Sequence, residues 1–264
     1  MVSTGPTMKS EIDLNSDLGE SYGPWSMGQD ATMLSIVTSA NIACGGHASD
    51  PETMFVTLKE AKARGVTVGA HPGYNDKEGF GRRIIPMSEA EIERMVAAQI
   101  GALMGVAALA GTQVRYVKPH GALGNYAADN RGVAAAVARA VKAISDKLVV
   151  LAISGTELEL EAREKGMPVY SEIFADRAYL TTGRLVPRSR AGAMVEGAQA
   201  AADRLSGFLD TGLMPTLDGQ PIKLAAHSIC VHGDGAHAVE IARGVRAMIE
   251  RKKIAVRSFL AGAA

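Results

Sequence analysis

The chain has 264 residues, 47% of them apolar and 21% charged, a balance that lets a folded soluble protein bury a sizeable core. Lysine plus arginine (28) equals aspartate plus glutamate (28), so no net field draws nucleic acid or an anionic membrane surface. Two cysteines cannot supply a disulfide framework, no signal-like segment opens the chain, and the most apolar window, residues 96–111, is too short to cross a bilayer and contains Gln99. A cytoplasmic protein with neither nucleic-acid nor membrane partners is expected.

In chain order, residues 12–15 read as a strand that runs into a polar loop carrying Asp17 and Glu20. Residues 30–36 suit a short helix, and 37–43 a second strand ending at Cys44-Gly45-Gly46-His47. Asp50-Pro51-Glu52 has the pattern of an N-cap, a proline in the first turn and an acid beside it, opening a helix that Gly65 stops. Residues 66–70 form strand three. The long Gly/Arg/aromatic-rich loop 71–87 is of a kind that usually carries function. A capping box, Ser88 to Glu91, then starts a helix reaching about Ala110.

Strand four covers 114–117, a helix 130–146, and strand five 148–153; a second capping box, Thr156 to Glu159, opens a helix closing at Gly166. Strand six spans 168–173 and is followed by a helix from about Ala191 to Leu205. Residues 212–223 suit a small hairpin or lid around Asp218-Gly219, strand seven covers 228–231, and a last helix runs from Ala236 to Arg251. Seven strand–helix alternations predict a parallel α/β architecture, folded as a single domain over 1–264 with residues 1–10 as a disordered N-terminus. Polar residues end almost every strand. That favours a closed barrel over an open sheet, which gathers ligands mainly at one switch point.

The ends of these strands carry the candidate chemistry. Asp17 is a possible general base or loop cap, Glu20 a supporting or capping acid, and Asp13 a buried structural acid inside strand one. His47, His71, His120 and His232 each fall at or just beyond a strand end, whereas His227 and His237 read as structural. Lys118 ends strand four, where burial requires an anionic partner. Arg82, Arg83 and Arg188 could hold carboxylate or phosphate, and Cys44 reads as a small buried thiol. No His-x-x-x-His or Cys-x-x-Cys spacing supports a metal, so a divalent ion is a minority expectation and no metal ligand is assigned. No Gly-x-x-x-x-Gly-Lys-Ser/Thr segment occurs, so a nucleotide would be held without a P-loop.

Several of these stretches together resemble the LamB/YcsF family, the 5-oxoprolinase A subunits. They are Asp13-Leu14-Asn15-Ser16-Asp17-Leu18-Gly19-Glu20, Asn41-Ile42-Ala43-Cys44-Gly45, Gly69-Ala70-His71-Pro72-Gly73-Tyr74, Gly79-Phe80-Gly81-Arg82-Arg83, Lys118-Pro119-His120-Gly121 and Val231-His232-Gly233-Asp234. The resemblance extends in order over about residues 11–245. It implies an irregular seven-stranded, TIM-like (β/α) barrel similar to that of polysaccharide deacetylases. It also implies ATP-dependent opening of 5-oxoproline to L-glutamate together with partner subunits B and C, the ATP being bound with or by those partners.

On that reading Asp17, His47, His71 and Lys118 are the candidate catalytic residues. Asn15, Asn41, Arg82, His120, Glu172, Arg188 and His232 are the candidate substrate-binding residues. The alternatives are a metal-dependent amide or acetyl-sugar hydrolase and a non-catalytic substrate-binding subunit. The sequence departs from the family pattern at Gly46 and Ser49, where Phe and Gly are usual, and at Gly124, where Tyr is usual. Two aromatic rings are thereby missing, and a changed substrate or a roomier pocket is expected.

Overall fold

A computed structural model describes residues 10–235 and 237–261. In chain order it contains β1 (Glu11–Leu18), α1 (Asp30–Leu34), β2 (Ser39–Ala43), α2 (Pro51–Ala63), β3 (Thr67–His71), α3 (Glu89–Ala110), β4 (Val114–Val117), α4 (Gly121–Asp129) and α5 (Arg131–Ile144). Next come β5 (Val149–Ile153), α6 (Glu157–Glu164), β6 (Val169–Phe174), α7 (Ala198–Thr211), β7 (Leu213–Met214), β8 (Ile222–Lys223), β9 (Ser228–Val231), α8 (Ala238–Arg251) and β10 (Ala255–Val256).

Seven parallel strands close a barrel in the order β1-β2-β3-β4-β5-β6-β9, and β9 pairs back onto β1 through Asp13↔Ser228 to Ser16↔Val231. Closure leaves no strand edge in the ring. β10 adds only to the first two residues of β1, pairing Glu11 with Ala255. The chain after it brings Phe259 against the rings of Tyr116 and Tyr170, with centroids 5.1 and 5.0 Å apart, and these rings seal the amino end of the barrel. Chemistry is left to the carboxyl end.

Local sequence sets the helices that wrap this ring. Asp50 accepts from Thr53 N at 2.8 Å ahead of Pro51, and Ser88 and Glu91 form the reciprocal capping box of α3. Although α3 is long and apolar enough to cross a bilayer by length and composition, it packs between α2 and α5, burying Ile92, Val96, Ile100 and Leu103. Each such aliphatic side chain contributes about 1.5–3 kcal/mol by leaving water.

Inside the ring the alternation of strand residues places Asp13, Asn15 and Asp17 of β1 in the interior, and Ile12, Leu14 and Leu18 in the apolar core outside it. Gly69 of β3 is needed there, because a Cβ would lie 2.2 Å from the ring of Tyr116.

Four sequence expectations change. β1 runs on to Leu18, so Asp17 stands on a strand held on both sides by β2 and β9 rather than in a loop. α4 is a helix beyond those expected. The expected helix from Ala191 begins only at Ala198, because residues 187–196 form an irregular arm bridging Arg177 to Met194, and Gly197 turns with φ 87°. Thr156 makes no cap bond; its hydroxyl donates to Ile153 O instead, and Glu159 accepts from Gly155 N. The hairpin is present as β7–β8. The N-terminal disorder and the helix start at Ala236 fall outside the described residues, apart from Ser10, which is placed.

Candidate active site

The carboxyl end of the barrel opens on a cavity of about 600 Å³ lined by Asp17, His71, Lys118, His120, Glu172 and His232, with Arg82, Arg177, Arg184 and Arg188 among its wall residues. Asp17 lies at the end of β1, His71 at the end of β3, Lys118 just past β4 and Glu172 within β6, so four strands deliver the floor. Lys118 is 4% exposed, and its ammonium donates to Asp17 Oδ1 at 2.9 Å and to Cys230 Sγ at 3.0 Å, with Glu172 Oε2 at 3.2 Å. Asn41 Nδ2 donates to Asp17 at 2.8 Å and to Asn15 Oδ1 at 2.7 Å. Tyr116 fixes that amide by donating to Asn41 Oδ1 at 2.6 Å.

Charge follows from this geometry. Burial pushes the Asp17 carboxyl up, but His71 and Lys118 more than offset it and hold the group well below the ordinary carboxylate range. Burial works against the Lys118 ammonium, yet Asp17, Cys230 and Glu172 raise its pKa well above the usual value. One ammonium serves two carboxylates here. Asp17, the nearer, keeps the charge, while Glu172 is raised by burial against the lowering effect of Lys118.

Beside this pair lies a cluster of imidazoles. His47 and His120 stack with centroids 3.5 Å apart, and His71 meets both edge-on. Burial, then repulsion from neighbouring imidazoles, lowers the pKa of His47 and of His120 far below the ordinary value. Glu20 reaches His47 Nε2 at 3.1 Å, and its own pKa is raised by burial and by Asp17. Glu20, His47, His71 and His120 each present a donor atom, all within 4.8 Å of one another, and this buried set can hold a metal ion. Toward the rim, His232 bonds Asp176 at 2.9 Å and stacks on Phe174, and Arg82 pairs with Asp234.

The structure therefore brings Asp17, His71, Lys118, His120, Glu172, His232, Arg82 and Arg188 to one cavity. Asn15 and Asn41 are fully buried a layer beneath it, and His47 sits behind His120. Sequence reasoning passes over Cys230, Tyr116 and Asp176, and gives Glu20 only a supporting role. The signal for Tyr116 is its place two residues before Lys118 on the same strand face. Of the departures from the family pattern, Gly124 lines the cavity, but Gly46 opens no space: a Cβ there would lie 2.6 Å from the Gln99 amide, which is bonded to Gly73 N and O. Cys44 is buried and its thiol pKa is pushed up to about 12, so it is a packing residue.

By fold and site this is a β/α-barrel protein with a buried, charged centre where the strands end, the place at which such barrels carry chemistry. The chain belongs to the LamB/YcsF family, whose model matches residues 12–263. It is 49% identical over 247 residues to the 5-oxoprolinase A subunit of Gluconobacter oxydans, covering 94% of this chain and 97% of that one. The crystal structure of a lactam utilization protein from Thermus thermophilus matches with a TM-score of 0.88 and 41% identity, covering 94% of this chain and 99% of that one. A putative cellobiose-phosphate cleavage protein from Enterococcus faecalis, 12% identical with a TM-score of 0.57, shares the fold over 96% of this chain and 98% of that one.

Proposed function

We propose that the chain is the A subunit of an ATP-dependent 5-oxoprolinase, opening the lactam of 5-oxoproline to L-glutamate with subunits B and C. Its similarity to proteins named as 5-oxoprolinase A subunits and as a lactam utilization protein supports the substrate class. The observation that carries the site is a buried Asp17 kept ionised by Lys118 on the floor of a cavity with an arginine wall.

A five-membered lactam resists water because amide resonance must be broken. Phosphorylation of its carbonyl oxygen, with ATP held with or by the partner subunits, turns the carbon into an imidate electrophile. Water adds there, the ring C–N bond breaks to leave an acyl phosphate, and a second water releases phosphate and glutamate. Asp17 takes the proton of the attacking water. The ammonium beside it makes Asp17 a weak base, and a weak base suffices once phosphorylation has activated the carbon.

Lys118 keeps Asp17 charged, and with its protons spent on Asp17, Cys230 and Glu172 it has none left for phosphate. Arg82, Arg188 and His232 receive the substrate carboxylate or the phosphoryl group, the forked guanidinium suiting either. His71 and His120 flank the attacked carbon, His47 backs them, Glu172 completes the polar floor, and Asn15 and Asn41 hold Asp17 from beneath.

The test is glutamate formation from 5-oxoproline and ATP by the chain mixed with its partner subunits. Asp17→Asn should bind the partners and lose turnover; undiminished turnover would remove Asp17 from the chemistry.

A further inference from the structure

Two of the three buried imidazoles, His71 and His120, face each other with one hydrogen too few when both rings are neutral. His71 Nδ1 faces the carbonyl oxygen of Lys118 at 2.6 Å, and His120 Nε2 faces the carbonyl oxygen of Phe80 at 2.8 Å. A carbonyl oxygen only accepts, so each of these nitrogens carries the hydrogen. In a neutral ring the opposite nitrogen is then a bare lone pair. Those opposite nitrogens, His71 Nε2 and His120 Nδ1, point at each other across 3.0 Å. Glu20 Oε1 adds a third acceptor, 3.7 Å from His120 Nδ1 and 3.1 Å from His47 Nε2.

The cations nearest the cluster already have carboxylate partners. Lys118 is spent on Asp17, Cys230 and Glu172, and Arg82 on Asp234. Glu20 meets only imidazoles among its ion-pair contacts in the described residues. Water has little access, because Glu20 is 6%, His47 1%, His71 1% and His120 4% exposed.

We propose that Glu20, His47, His71 and His120 form a site for one first-row transition-metal ion, Zn²⁺ being the best match. Four donors from four segments converge: the turn after β1, the loop between β2 and α2, the end of β3 and the start of α4. Three nitrogens and one carboxylate oxygen suit zinc, whereas magnesium and calcium prefer all-oxygen sets. The carbonyl bonds to the outer nitrogens of His71 and His120 are what orients metal-binding histidines elsewhere. Asp17 Oδ1, 3.4 Å from His71 Nε2, is bonded to Lys118 and Asn41 and stays outside the set. With four protein ligands the ion is closed to water and acts as a clasp. It ties the four segments together and fixes the face that His71 turns to Asp17. The set shares His47, His71 and His120 with the proposed active site, but the case for it rests on the geometry of these side chains and not on the reaction.

The full chain, stripped with a chelator and dialysed, is titrated with ZnCl₂ by calorimetry, with metal content read by elemental mass spectrometry. About one zinc per chain is expected, with magnesium unable to compete, and Co²⁺ in its place should give the visible bands of four-coordinate cobalt. Glu20→Gln, which keeps the shape of the side chain, and His120→Ala should each weaken zinc binding by at least about tenfold. Asp17→Asn should bind zinc like the wild type even though it loses turnover, which separates this site from the proposed reaction. Circular dichroism confirms that each variant is folded, and Glu20→Gln carries the test if His120→Ala does not fold. Zinc held equally by both ligand variants, no zinc bound at all, or an NMR signature of a proton shared between His71 and His120 in zinc-saturating buffer would overturn the proposal.

Discussion

Asp13 and Asp17 stand on the same strand and the same interior face, and both are almost wholly buried, at 0% and 5% exposed. Their carboxyls are nevertheless shifted in opposite directions. Asp13 is met by hydroxyls only: Thr38 and Ser39 donate to Oδ1 at 2.7 and 2.6 Å, and Ser228 donates to Oδ2. Burial wins there, and the carboxyl is raised to about 6. Two pleats further on, Asp17 meets an ammonium and an imidazole, and burial loses. The barrel thus has a hydroxyl-lined lower layer, sealed by the C-terminal aromatics, whose acid is raised by burial, and an upper layer facing the cavity whose acid is held down by its cationic partner. Burial alone decides nothing; the charge of the partner does.

Removing the partner is the strongest way to break that contrast. Lys118→Met should leave Asp17 and Glu172 as buried acids without a cation and destabilise the fold by about 3–5 kcal/mol in urea unfolding. Adding Asp17→Asn to that variant should recover part of the loss, because the uncompensated charge disappears. A loss below about 1 kcal/mol for Lys118→Met would mean that water already compensates the upper layer.

The lower layer makes a prediction of its own. Since the folded pKa of Asp13 lies near 6 and its ordinary value is 3.8, the fold favours the protonated acid. This stabilisation is full below pH 3.8 and is lost as pH rises toward about 6, for a total of about 3 kcal/mol at ~1.4 kcal/mol per unit. Asp13→Asn should remove this component from the dependence of unfolding free energy on pH. An unchanged slope between pH 4 and about 6 would show that the hydroxyls keep Asp13 ionised.

Tyr116 links the two layers, because its hydroxyl sets the Asn41 amide that faces Asp17. Tyr116→Phe should cost about 1–2 kcal/mol, the penalty for one buried acceptor left without its donor. When the variant is mixed with the partner subunits it should also lower turnover without abolishing it, since Lys118 remains on Asp17.

The sequence makes each layer legible in part, for physical reasons: Asp13 reads as a buried acid because it stands inside an apolar strand. His71, Lys118, Glu172 and His232 can be read because each ends an apolar run, so the strand that carries it also points it into the mouth. The strand position of Ser16 and Asp17 cannot, because residues with low strand propensity look like a loop until β2 and β9 pair on either side. The period-two pattern of Asp13, Asn15 and Asp17 is nevertheless there to be read. Glu20 and His47 lie 27 residues apart on separate turns, and no spacing rule joins them; only barrel closure does. The arm 187–196 reads in part as helix from the Ala-rich run that follows it, but Gly192 and Gly197 both adopt positive φ, which delays the helix to Ala198.

A further difference between the layers is backbone strain. The lower layer is built of strands, whereas the upper is built by loops that hold two non-glycine residues in the left-handed region, Ser49 with φ 78° and Phe80 with φ 54°. They do not have the same purpose. Ser49 offers its carbonyl to Lys77 at 3.4 Å and packs no ring, so Ser49→Gly should relieve the conformation and stabilise the protein by about 1 kcal/mol. Phe80 packs edge-on against His47 and His120, with centroids 5.5 and 5.3 Å away, while its carbonyl receives the His120 hydrogen. Phe80→Gly relieves the same conformation but removes that ring, and its net effect should be destabilising by about 1 kcal/mol or more. Thermal unfolding of the two variants side by side reads the sign. Equal shifts in the same direction would mean that strain at Phe80 is incidental; opposite shifts would tie it to the placement of His120.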